Sequence, residues 1–302
     1  VKVEQTRRFG AAVVLHGADL AEAEARAEAL MRERGLVRVH PYDDAQVIAG
    51  QGSVALEMLT QNPALEVLVV PVGGGGLVAG IAVAAHGVAP AVEVVGVQTE
   101  RFAAMHHALA GEPWEGRGPT LAEGIAVGRP GELTLPLVRE RVREIRLVDE
   151  AGIEEAVRLL LEIEKSLVEG AGAASLAAVL AAPERFAGRR VGLVLSGGNI
   201  DAMPLAAILQ RGLVRAGRLA RIHVVLPDQP GALARVARVL GEADANIVEV
   251  QHQRAFSTLP LASAEVEFVV QCRGHDHLAE VVEALRHAGF ATRPMALAPA
   301  AE

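Results

Sequence analysis

The sequence predicts an α/β fold in which a parallel β-sheet is followed by a smaller antiparallel unit. Between residues 51 and 212, segments rich in β-branched residues alternate with apolar helical segments, which is the order expected of a parallel sheet. After residue 212 the order changes to β-α-β-β-α-β, the ferredoxin-like arrangement. We therefore expect three parts, namely residues 1–50, a central domain of residues 51–212 and a C-terminal domain of residues 213–302.

Composition excludes several classes of protein. The 302 residues carry 29 basic and 37 acidic side chains, and the basic ones form no cluster, so nucleic acid is not an expected partner. The uncharged run at residues 67–85 is long enough for a membrane helix, but Pro71 and four glycines interrupt it, so no membrane partner is expected either. The single cysteine, Cys272, excludes an internal disulfide and is typical of a reducing, cytoplasmic compartment.

The first fifty residues have the pattern of a β-α-β unit. Residues 10–16 and 36–40 are predicted strands on either side of an amphipathic helix at residues 18–34, which Gly35 terminates. Such a unit rarely stands alone, because its sheet has too few strands to be stable. We therefore expect these residues to be the end of a domain whose first part precedes Val1.

The central domain is organised around a predicted strand at residues 67–72, the four glycines Gly73, Gly74, Gly75 and Gly76, and a predicted helix at residues 77–86. Each glycine costs about 0.5–1 kcal/mol of extra chain entropy, so four in a row favour a function over a plain turn. Their backbone amides can converge on an anion, and the helix adds the positive end of its dipole. The loop predicts a phosphate site, with a tight strand-to-helix turn as the alternative.

The glycines alone leave the type of phosphate ligand open. No Lys-Ser or Lys-Thr pair follows them, which excludes a nucleoside-triphosphate loop. Gly74, Gly76 and Ala79 fit one form of the dinucleotide fingerprint. However, the next predicted strand, at residues 92–97, leads into Gln98 instead of the acid that would bind a ribose. A dinucleotide-dependent oxidoreductase is therefore one alternative function.

Three more helices are predicted in the central domain. Ser53 is the expected N-cap of a helix at residues 53–61, and Asp149 is that of a later one. A small apolar helix begins after Glu169, whose carboxylate either orients a substrate amine or merely suits the start of that helix. The stretch between residues 101 and 138 is expected to be irregular.

A second glycine turn, Ser196-Gly197-Gly198-Asn199, follows a predicted strand at residues 191–195. Ligands of open parallel sheets bind at the carboxyl ends of the strands, so this turn is a second candidate ligand site. The Ser196 hydroxyl can donate a hydrogen bond to a ring nitrogen or accept one from it. A plain serine–glycine turn is the alternative.

A turn in the C-terminal domain is also suited to a ligand. It joins a predicted strand at residues 219–226 to a helix that carries Leu233. Pro230 suits the first turn of that helix, and Gly231 lets a ligand approach the backbone because it has no side chain.

Six motifs of the first 212 residues occur together with two motifs of the tail. They are, in chain order, His40-Pro41-Tyr42-Asp43-Asp44, Gly50-Gln51-Gly52, Val72-Gly73-Gly74-Gly75-Gly76-Leu77, Thr120-Leu121-Ala122-Glu123-Gly124-Ile125-Ala126, Glu169-Gly170-Ala171-Gly172-Ala173, Ser196-Gly197-Gly198-Asn199-Ile200-Asp201, Asp228-Gln229-Pro230-Gly231-Ala232-Leu233, and Asn246-Ile247 with Gln251-His252-Gln253-Arg254. The first six resemble threonine dehydratases (threonine ammonia-lyases), which are fold-type II pyridoxal-phosphate enzymes similar to the tryptophan synthase β chain. The last two resemble an ACT regulatory domain.

The resemblance implies roles around the cofactor pyridoxal phosphate. Glu123, where the family more often has aspartate, and Gly124 would lie beside the cofactor ring. Ser196 would bond the pyridine nitrogen without enforcing its protonation, which favours elimination. Related enzymes place a divalent cation where this chain has Gln98, so no metal is expected. The cofactor phosphate would be held by Gly73, Gly74, Gly75, Gly76 and the amide of Leu77.

The resemblance also implies a reaction and its regulation. The reaction removes water and then ammonia from L-threonine, giving 2-oxobutanoate, and acts on L-serine as well. The implied assembly is a homodimer or homotetramer, and the implied effector is isoleucine or valine. A non-catalytic amino-acid sensor built on the ACT domain is the second alternative. The effector would be bound by Asp228, Pro230, Gly231, Ala232 and Leu233.

The lysine that forms the Schiff base in this family precedes all of the matched motifs. This chain has only two lysines, Lys2 and Lys165. Lys165 lies late in a predicted helix near Glu162 and Glu169, which is the pattern of a surface ion pair. We therefore expect neither lysine to hold the cofactor, and we expect the chain by itself to be an inactive fragment.

Overall fold

The structure of the protein, a computed structural model, describes residues 2–18, 20–116, 118–253 and 262–295 and contains two four-stranded sheets. The strands are β1 (Val67–Pro71), β2 (Glu93–Thr99), β3 (Glu144–Val148), β4 (Val191–Leu193), β5 (Leu219–Pro227), β6 (Asn246–Gln253), β7 (Ser263–Gln271) and β8 (Ala291–Met295). The helices are α1 (Lys2–Arg8), α2 (Leu20–Arg34), α3 (Ala45–Gln51), α4 (Ser53–Gln61), α5 (Gly76–Val88), α6 (Ala104–Ala110), α7 (Thr134–Arg141), α8 (Glu150–Glu162), α9 (Gly170–Ala181), α10 (Pro183–Phe186), α11 (Ala202–Arg215), α12 (Ala232–Glu242) and α13 (His275–His287).

The first sheet is parallel and confirms the predicted α/β fold. Its strands lie in the order β3-β2-β1-β4, and every residue of β1 is buried. Successive residues of a strand point to opposite faces. Leu68 and Val70 belong to one core cluster with residues of α4 and α5, whereas Val67 and Val69 belong to another with α8 and α9. Because both faces of β1 are covered by helices, its continuous β-branched sequence is the expected one.

The uncharged run at residues 67–85 divides into β1, the glycine loop and most of α5. The helical part, α5, has 13 residues. Among the helices that the structure describes, none has both the length and the apolar composition needed to cross a membrane.

The second sheet is antiparallel and confirms the predicted β-α-β-β-α-β unit. Its strands lie in the order β6-β7-β5-β8, and α12 and α13 contribute to its single core. Ile222 of β5, Phe268 of β7 and Val236 of α12 are completely buried in that core. Cys272 lies just after β7 and is buried there too, and burial raises the pKa of its thiol.

Helix α11 leads from the parallel sheet into the C-terminal sheet, and the predicted boundary between residues 212 and 213 falls inside it. Glu154 of α8, which is 7% exposed, forms ion pairs with Arg211 (2.8 Å) and Arg215 of α11. At the end of α11, the carbonyl oxygen of Arg215 lies 2.8 Å from Nε2 of His275, the first residue of α13. Helix α11 is thus held by α8 through the ion pairs and by the first residue of α13 at its C-terminal end.

The predicted strands at residues 10–16 and 36–40 are wrong. Neither segment pairs with any described strand, and most of their apolar side chains are exposed, with Leu15 at 71% and Val37 at 90%. A strand needs a hydrogen-bonded neighbour, and none of the described strand pairs includes either segment. The helix between them is present as α2, and Gly35 ends it at φ +65°, as predicted.

Two predicted helix starts also need correction. Ser53 is not an N-cap, because α3 runs almost directly into α4 and Gly52 occupies the cap position with helical backbone angles. The Ser53 hydroxyl instead donates to the Gly50 carbonyl at 2.8 Å. Pro230 lies just before the N-cap of α12, so it is outside the first turn. The prediction that Asp149 is an N-cap is confirmed, because its carboxylate accepts a hydrogen bond from the Gly152 amide at 2.8 Å.

Two more differences concern the middle of the chain. Lys165 is not in a helix, because α8 ends at Glu162. It has a left-handed φ of +58°, and its Nζ donates to the Glu162 carbonyl at 2.6 Å, which caps the end of α8. The stretch at residues 101–138 is not wholly irregular, since it contains α6 and the first residues of α7.

Glu93 links the start of β2 to the segment before β4. Its carboxylate accepts hydrogen bonds from Arg185 (2.7 Å) and Arg189 (3.0 Å). These bonds, with that of Arg189 the stronger influence, hold the pKa of Glu93 at about 2, below the ordinary carboxyl range. A carboxylate whose pKa is lowered by folding stabilises the fold above its ordinary pKa, and that contribution disappears as the pH falls through the folded pKa.

We expect Glu93→Gln to lower the free energy of unfolding at pH 7 by less than about 1 kcal/mol, because the partly exposed pairs are screened by solvent. The difference from the wild type should shrink as the pH falls from 4.5 towards about 2, where wild-type Glu93 itself becomes protonated. Urea unfolding at several pH values measures this, with Glu57→Gln, an exposed glutamate of α4, as the control. A difference that is independent of pH would contradict the assignment.

Candidate functional site

Three glycine-bearing segments from distant parts of the sequence meet at the carboxyl ends of β1 and β4. A Cβ atom placed on Gly73, just after β1, would lie 3.2 Å from Cα of Ile125 and 3.6 Å from the carbonyl oxygen of Gly124. A Cβ placed on Gly172, in the first turn of α9, would lie 2.7 Å from the carbonyl oxygen of Gly197. The structure therefore brings the predicted loop to the segment around Gly124, and the first turn of α9 to the turn after β4.

The carboxylate of Glu169 lies between two of these segments. A Cβ on Gly197 would lie 2.3 Å from Oε1 of Glu169, and one on Gly124 would lie 3.3 Å from the same oxygen. The Glu169 amide also donates to the Gly197 carbonyl at 3.0 Å. Glu169 occupies the N-cap position of α9, but its side chain makes no capping hydrogen bond. The carboxylate thus lies at the candidate site instead of on the helix amides.

The four-glycine loop presents unpaired backbone donors. Gly74, Gly75 and Gly76 are buried, and no carbonyl among the described residues accepts a hydrogen bond from their amides. Gly75 is the N-cap of α5 and has a φ of +101°, a conformation that favours glycine. Buried amides are almost always paired, so unpaired ones at the positive end of a 13-residue helix fit an anionic group. A phosphate supplies the oxygen acceptors that they need.

Two side chains that the sequence did not single out as site residues position these segments. The carboxylate of Glu150, at the start of α8, accepts from the Thr120 hydroxyl (2.6 Å) and the Leu121 amide (2.7 Å) and so holds the segment before Glu123. The ring of Tyr42 packs against the loop, since a Cβ on Gly74 would lie 2.3 Å from it. Burial raises the pKa of this tyrosine.

The remaining predicted cofactor residues lie at the open side of the site. Glu123 and Gly124 form a short 3₁₀ turn and are exposed, and Ser196 is exposed in the turn after β4. Leu77 lies in the first turn of α5 and is half-buried. Gln98 lies inside β2 and is fully buried, and its Oε1 accepts from the His106 amide at 2.9 Å. The described residues contain no group of three or more His, Cys, Asp or Glu suited to a metal ion.

The predicted effector turn lies between β5 and α12. Gly231 is the N-cap of α12 with φ +86°, and a Cβ there would meet no atom within 4 Å. Asp228, Pro230 and Leu233 are exposed, whereas Ala232 is buried in the core beneath them. The backbone is therefore accessible at this turn. Arg254, which contributed to the resemblance, is outside the described residues.

A parallel sheet with a glycine-rich loop and a second glycine turn at its carboxyl edge, followed by a small β-α-β-β-α-β domain, is the arrangement expected of a cofactor-dependent α/β enzyme with an added C-terminal domain. Residues 1–197 match the family described as pyridoxal-phosphate dependent enzyme, and residues 220–289 match the ACT domain. The chain therefore belongs to the pyridoxal-phosphate dependent enzymes, and its cofactor is pyridoxal phosphate. This decides against the dinucleotide alternative.

Within this family, the chain is similar to enzymes that act on threonine. It is 43% identical over 295 residues to the L-threonine ammonia-lyase of Geobacter sulfurreducens, a match that covers 96% of this chain and 72% of the relative. It is 41% identical to the L-threonine ammonia-lyase of Thermotoga maritima, over 97% of this chain and 73% of the relative. The crystal structure of the T.th. threonine deaminase superimposes with a TM-score of 0.62 at 40% identity, covering 66% of this chain and 67% of that one.

We expect Gly75→Ala to destabilise the protein, because alanine is strained at φ +101° and its Cβ would lie 2.6 Å from Cε of Met105 and 2.8 Å from Oγ1 of Thr134. The matched control is Gly87→Ala in the same helix, where a Cβ meets no atom within 4 Å. That change should raise the free energy of unfolding by up to about 1 kcal/mol. Urea unfolding of both variants measures these effects, and equal effects would contradict the described loop geometry.

Proposed function

We propose that this chain carries the cofactor and substrate site of a lyase that removes water and then ammonia from L-threonine, and that it also accepts L-serine. The observation that supports this most directly is that the Glu169 carboxylate lies between the Gly197 turn and the Gly124 segment, which itself contacts the glycine loop at Gly73. The names of the relatives support threonine as the substrate. The net products are 2-oxobutanoate and ammonia, because the water that leaves is replaced when the carbon–nitrogen bond is hydrolysed.

Different residues of the site would bind the cofactor and the substrate. The amides of Gly74, Gly75 and Gly76 and the positive end of α5 would bind the cofactor phosphate. The neutral hydroxyl of Ser196 would bond the ring nitrogen. Pyridoxal phosphate, when bound, supplies an electron sink for the charge that remains after the Cα proton is removed.

Glu169 is the side chain best placed for the substrate. Its carboxylate lies within contact distance of Gly124 and Gly197, which border the proposed ring position on two sides. An ionised carboxylate there can accept hydrogen bonds from the substrate ammonium group and orient the Cα proton. Because Gly197 has no Cβ, the Glu169 carboxylate can approach the turn closely, and a Cβ at this position would collide with it.

We propose that the base that removes the proton is neither of the two lysines of this chain. Lys165 is exposed, and its Nζ is engaged with the Glu162 carbonyl at 2.6 Å. The only other lysine, Lys2, is at the start of α1. We therefore propose that neither lysine holds the cofactor. This placement favours a non-catalytic amino-acid sensor as the second candidate function.

Turnover and chemical trapping together test these assignments. We expect the 302 residues, supplied with pyridoxal phosphate and L-threonine, to form 2-oxobutanoate at least about 100-fold more slowly than the L-threonine ammonia-lyase of Geobacter sulfurreducens, because a general base typically contributes this much or more. Borohydride reduction and peptide mass mapping should find no stoichiometric pyridoxyl group on Lys165.

The control for this test is Lys165→Arg in the same 302-residue chain, which keeps a donor for the Glu162 carbonyl and should leave turnover unchanged. A pyridoxyl group found quantitatively on Lys165, or equal turnover by the 302 residues, would contradict the assignment of the lysines. A chain that binds isoleucine but consumes neither threonine nor serine at any measurable rate would favour the sensor.

We further propose that the ACT domain binds isoleucine or valine at the turn from Asp228 to Leu233 and that it pairs with a second copy in a homodimer or homotetramer. The accessible backbone at Gly231 and the first turn of α12 suit the effector carboxylate. The partly exposed Leu233 offers an apolar contact for the effector side chain. The alternative is a domain that serves only for assembly.

Calorimetric titration of the 302-residue chain with isoleucine and valine, with threonine and serine for comparison, tests this proposal. We expect isoleucine or valine to bind and Gly231→Ala to weaken binding about tenfold, within the usual range of allosteric coupling. The control is Gly241→Ala in the same helix, where a Cβ also meets no atom within 4 Å. If neither amino acid binds at millimolar concentration, the regulatory assignment fails.

A further inference from the structure

The carbonyl oxygen of Gly74 is held by donors that lie outside the candidate cofactor site. The hydroxyl of Thr134 donates to it at 2.6 Å, and the amide of Gly131 donates to it at 3.0 Å. Thr134 is the first residue of α7 and is completely buried. Its hydroxyl oxygen also accepts from the Gly131 amide at 3.0 Å, so the three groups form a closed set of hydrogen bonds.

Fixing this carbonyl also fixes a donor of the glycine loop. A peptide unit is planar and trans, so the carbonyl of Gly74 and the N–H of Gly75 point in opposite directions from the same plane. Because the carbonyl is turned towards Thr134, the Gly75 N–H is turned away from α7. This N–H is one of the buried amides that have no acceptor among the described residues. The Thr134 hydroxyl therefore sets the direction of a donor that would bind the phosphate.

The loop needs such a brace because its own sequence does not define its shape. Glycine populates positive and negative φ about equally, and a peptide between glycines is free to rotate in the absence of an external contact. On the other side of the loop, Tyr42 limits this motion, since a Cβ on Gly76 would lie 2.8 Å from the Tyr42 carbonyl oxygen. Thr134 and Tyr42 thus confine the loop from two sides.

The end of α7 that carries Thr134 is itself fixed by a distant carboxylate. Asp43 accepts from the amides of Glu132 (2.9 Å) and Leu133 (2.8 Å), which immediately precede Thr134. The Asp43 amide in turn donates to Nδ1 of His40 at 2.8 Å, which shapes the turn that presents the carboxylate. Charge-assisted bonds of this kind are stronger than neutral ones, so the start of α7 is a rigid support.

We propose that Thr134 is a positioning residue for the cofactor phosphate, which acts through the Gly74–Gly75 peptide and does not touch the cofactor. This proposal rests on the proposed role of the glycine loop. It predicts that the Thr134 hydroxyl matters for any ligand that carries a phosphate group and not for one that lacks it.

The test compares wild type, Thr134→Val and Thr134→Ser in the full 302-residue chain. Dissociation constants for pyridoxal phosphate, inorganic phosphate and pyridoxal are measured by calorimetry or tryptophan fluorescence. We expect Thr134→Val to weaken binding of both phosphate-bearing ligands about tenfold, which corresponds to about 1.4 kcal/mol, and to leave pyridoxal unchanged. Thr134→Ser keeps the hydroxyl and should bind within about twofold of the wild type.

The matched control is Thr60→Val on α4, which also removes a threonine hydroxyl that donates to a backbone carbonyl at 2.6 Å, but away from the site. It should change no affinity. If Thr134→Val does not fold, Asp43→Asn replaces it, since this variant loosens the start of α7 and should weaken phosphate binding in the same selective way. Unchanged phosphate affinity in a folded Thr134→Val, or an equal loss for pyridoxal, overturns the proposal. Failure of the wild type to bind pyridoxal phosphate would instead refute the cofactor site itself.

Discussion

The architecture depends on how closely backbone segments approach one another around the carboxyl edge of the parallel sheet. A Cβ on Gly76 would lie 2.8 Å from the Tyr42 carbonyl oxygen, and one on Gly172 would lie 2.7 Å from the Gly197 carbonyl oxygen. Glycine is the residue that permits such contacts, at a conformational cost of about 0.5–1 kcal/mol each. Burial of β1 on both faces offsets this cost and places the loop between β1 and α5.

Once these segments are close, carboxylates hold them by accepting hydrogen bonds from backbone amides. Asp43 does this for the start of α7, and Glu150 does it for Leu121 in the segment that leads to Glu123. Hydrogen bonds to charged groups contribute roughly 1.5–3 kcal/mol each, about twice as much as neutral ones. The candidate site is therefore built on loops, but each loop is tied to the end of a helix.

Helix α8 connects the site to the C-terminal domain. Glu150 in its first turn holds the segment beside the proposed cofactor ring, and Glu154, four residues later, pairs with Arg211 and Arg215 of α11. Residues four apart lie on the same face of a helix. Since α11 leads into β5 of the ACT domain, its ion pairs with Glu154 join the start of that domain to α8 one turn from Glu150. This continuity gives the two domains a common structural element.

The sequence by itself determined the features that depend on local pattern. Alternating apolar segments defined the parallel sheet and the β-α-β-β-α-β unit, and the motifs around Gly73, Glu123 and Ser196 defined the edge where the site lies. The strands predicted from local pattern at residues 10–16 and 36–40 are wrong, because strand formation requires a partner strand that no short segment can specify.

Only the tertiary structure decided which side chains support the site. Tyr42 acts on a loop about 30 residues away, and Asp43 and Thr134 act across 90 and 60 residues; in the sequence Thr134 resembles any other polar residue at the start of a helix. Glu150, likewise, resembles an ordinary acidic residue in a first turn. Their roles arise from hydrogen bonds between segments that become neighbours only when the sheet and its helices have packed, so no spacing in the sequence encodes them.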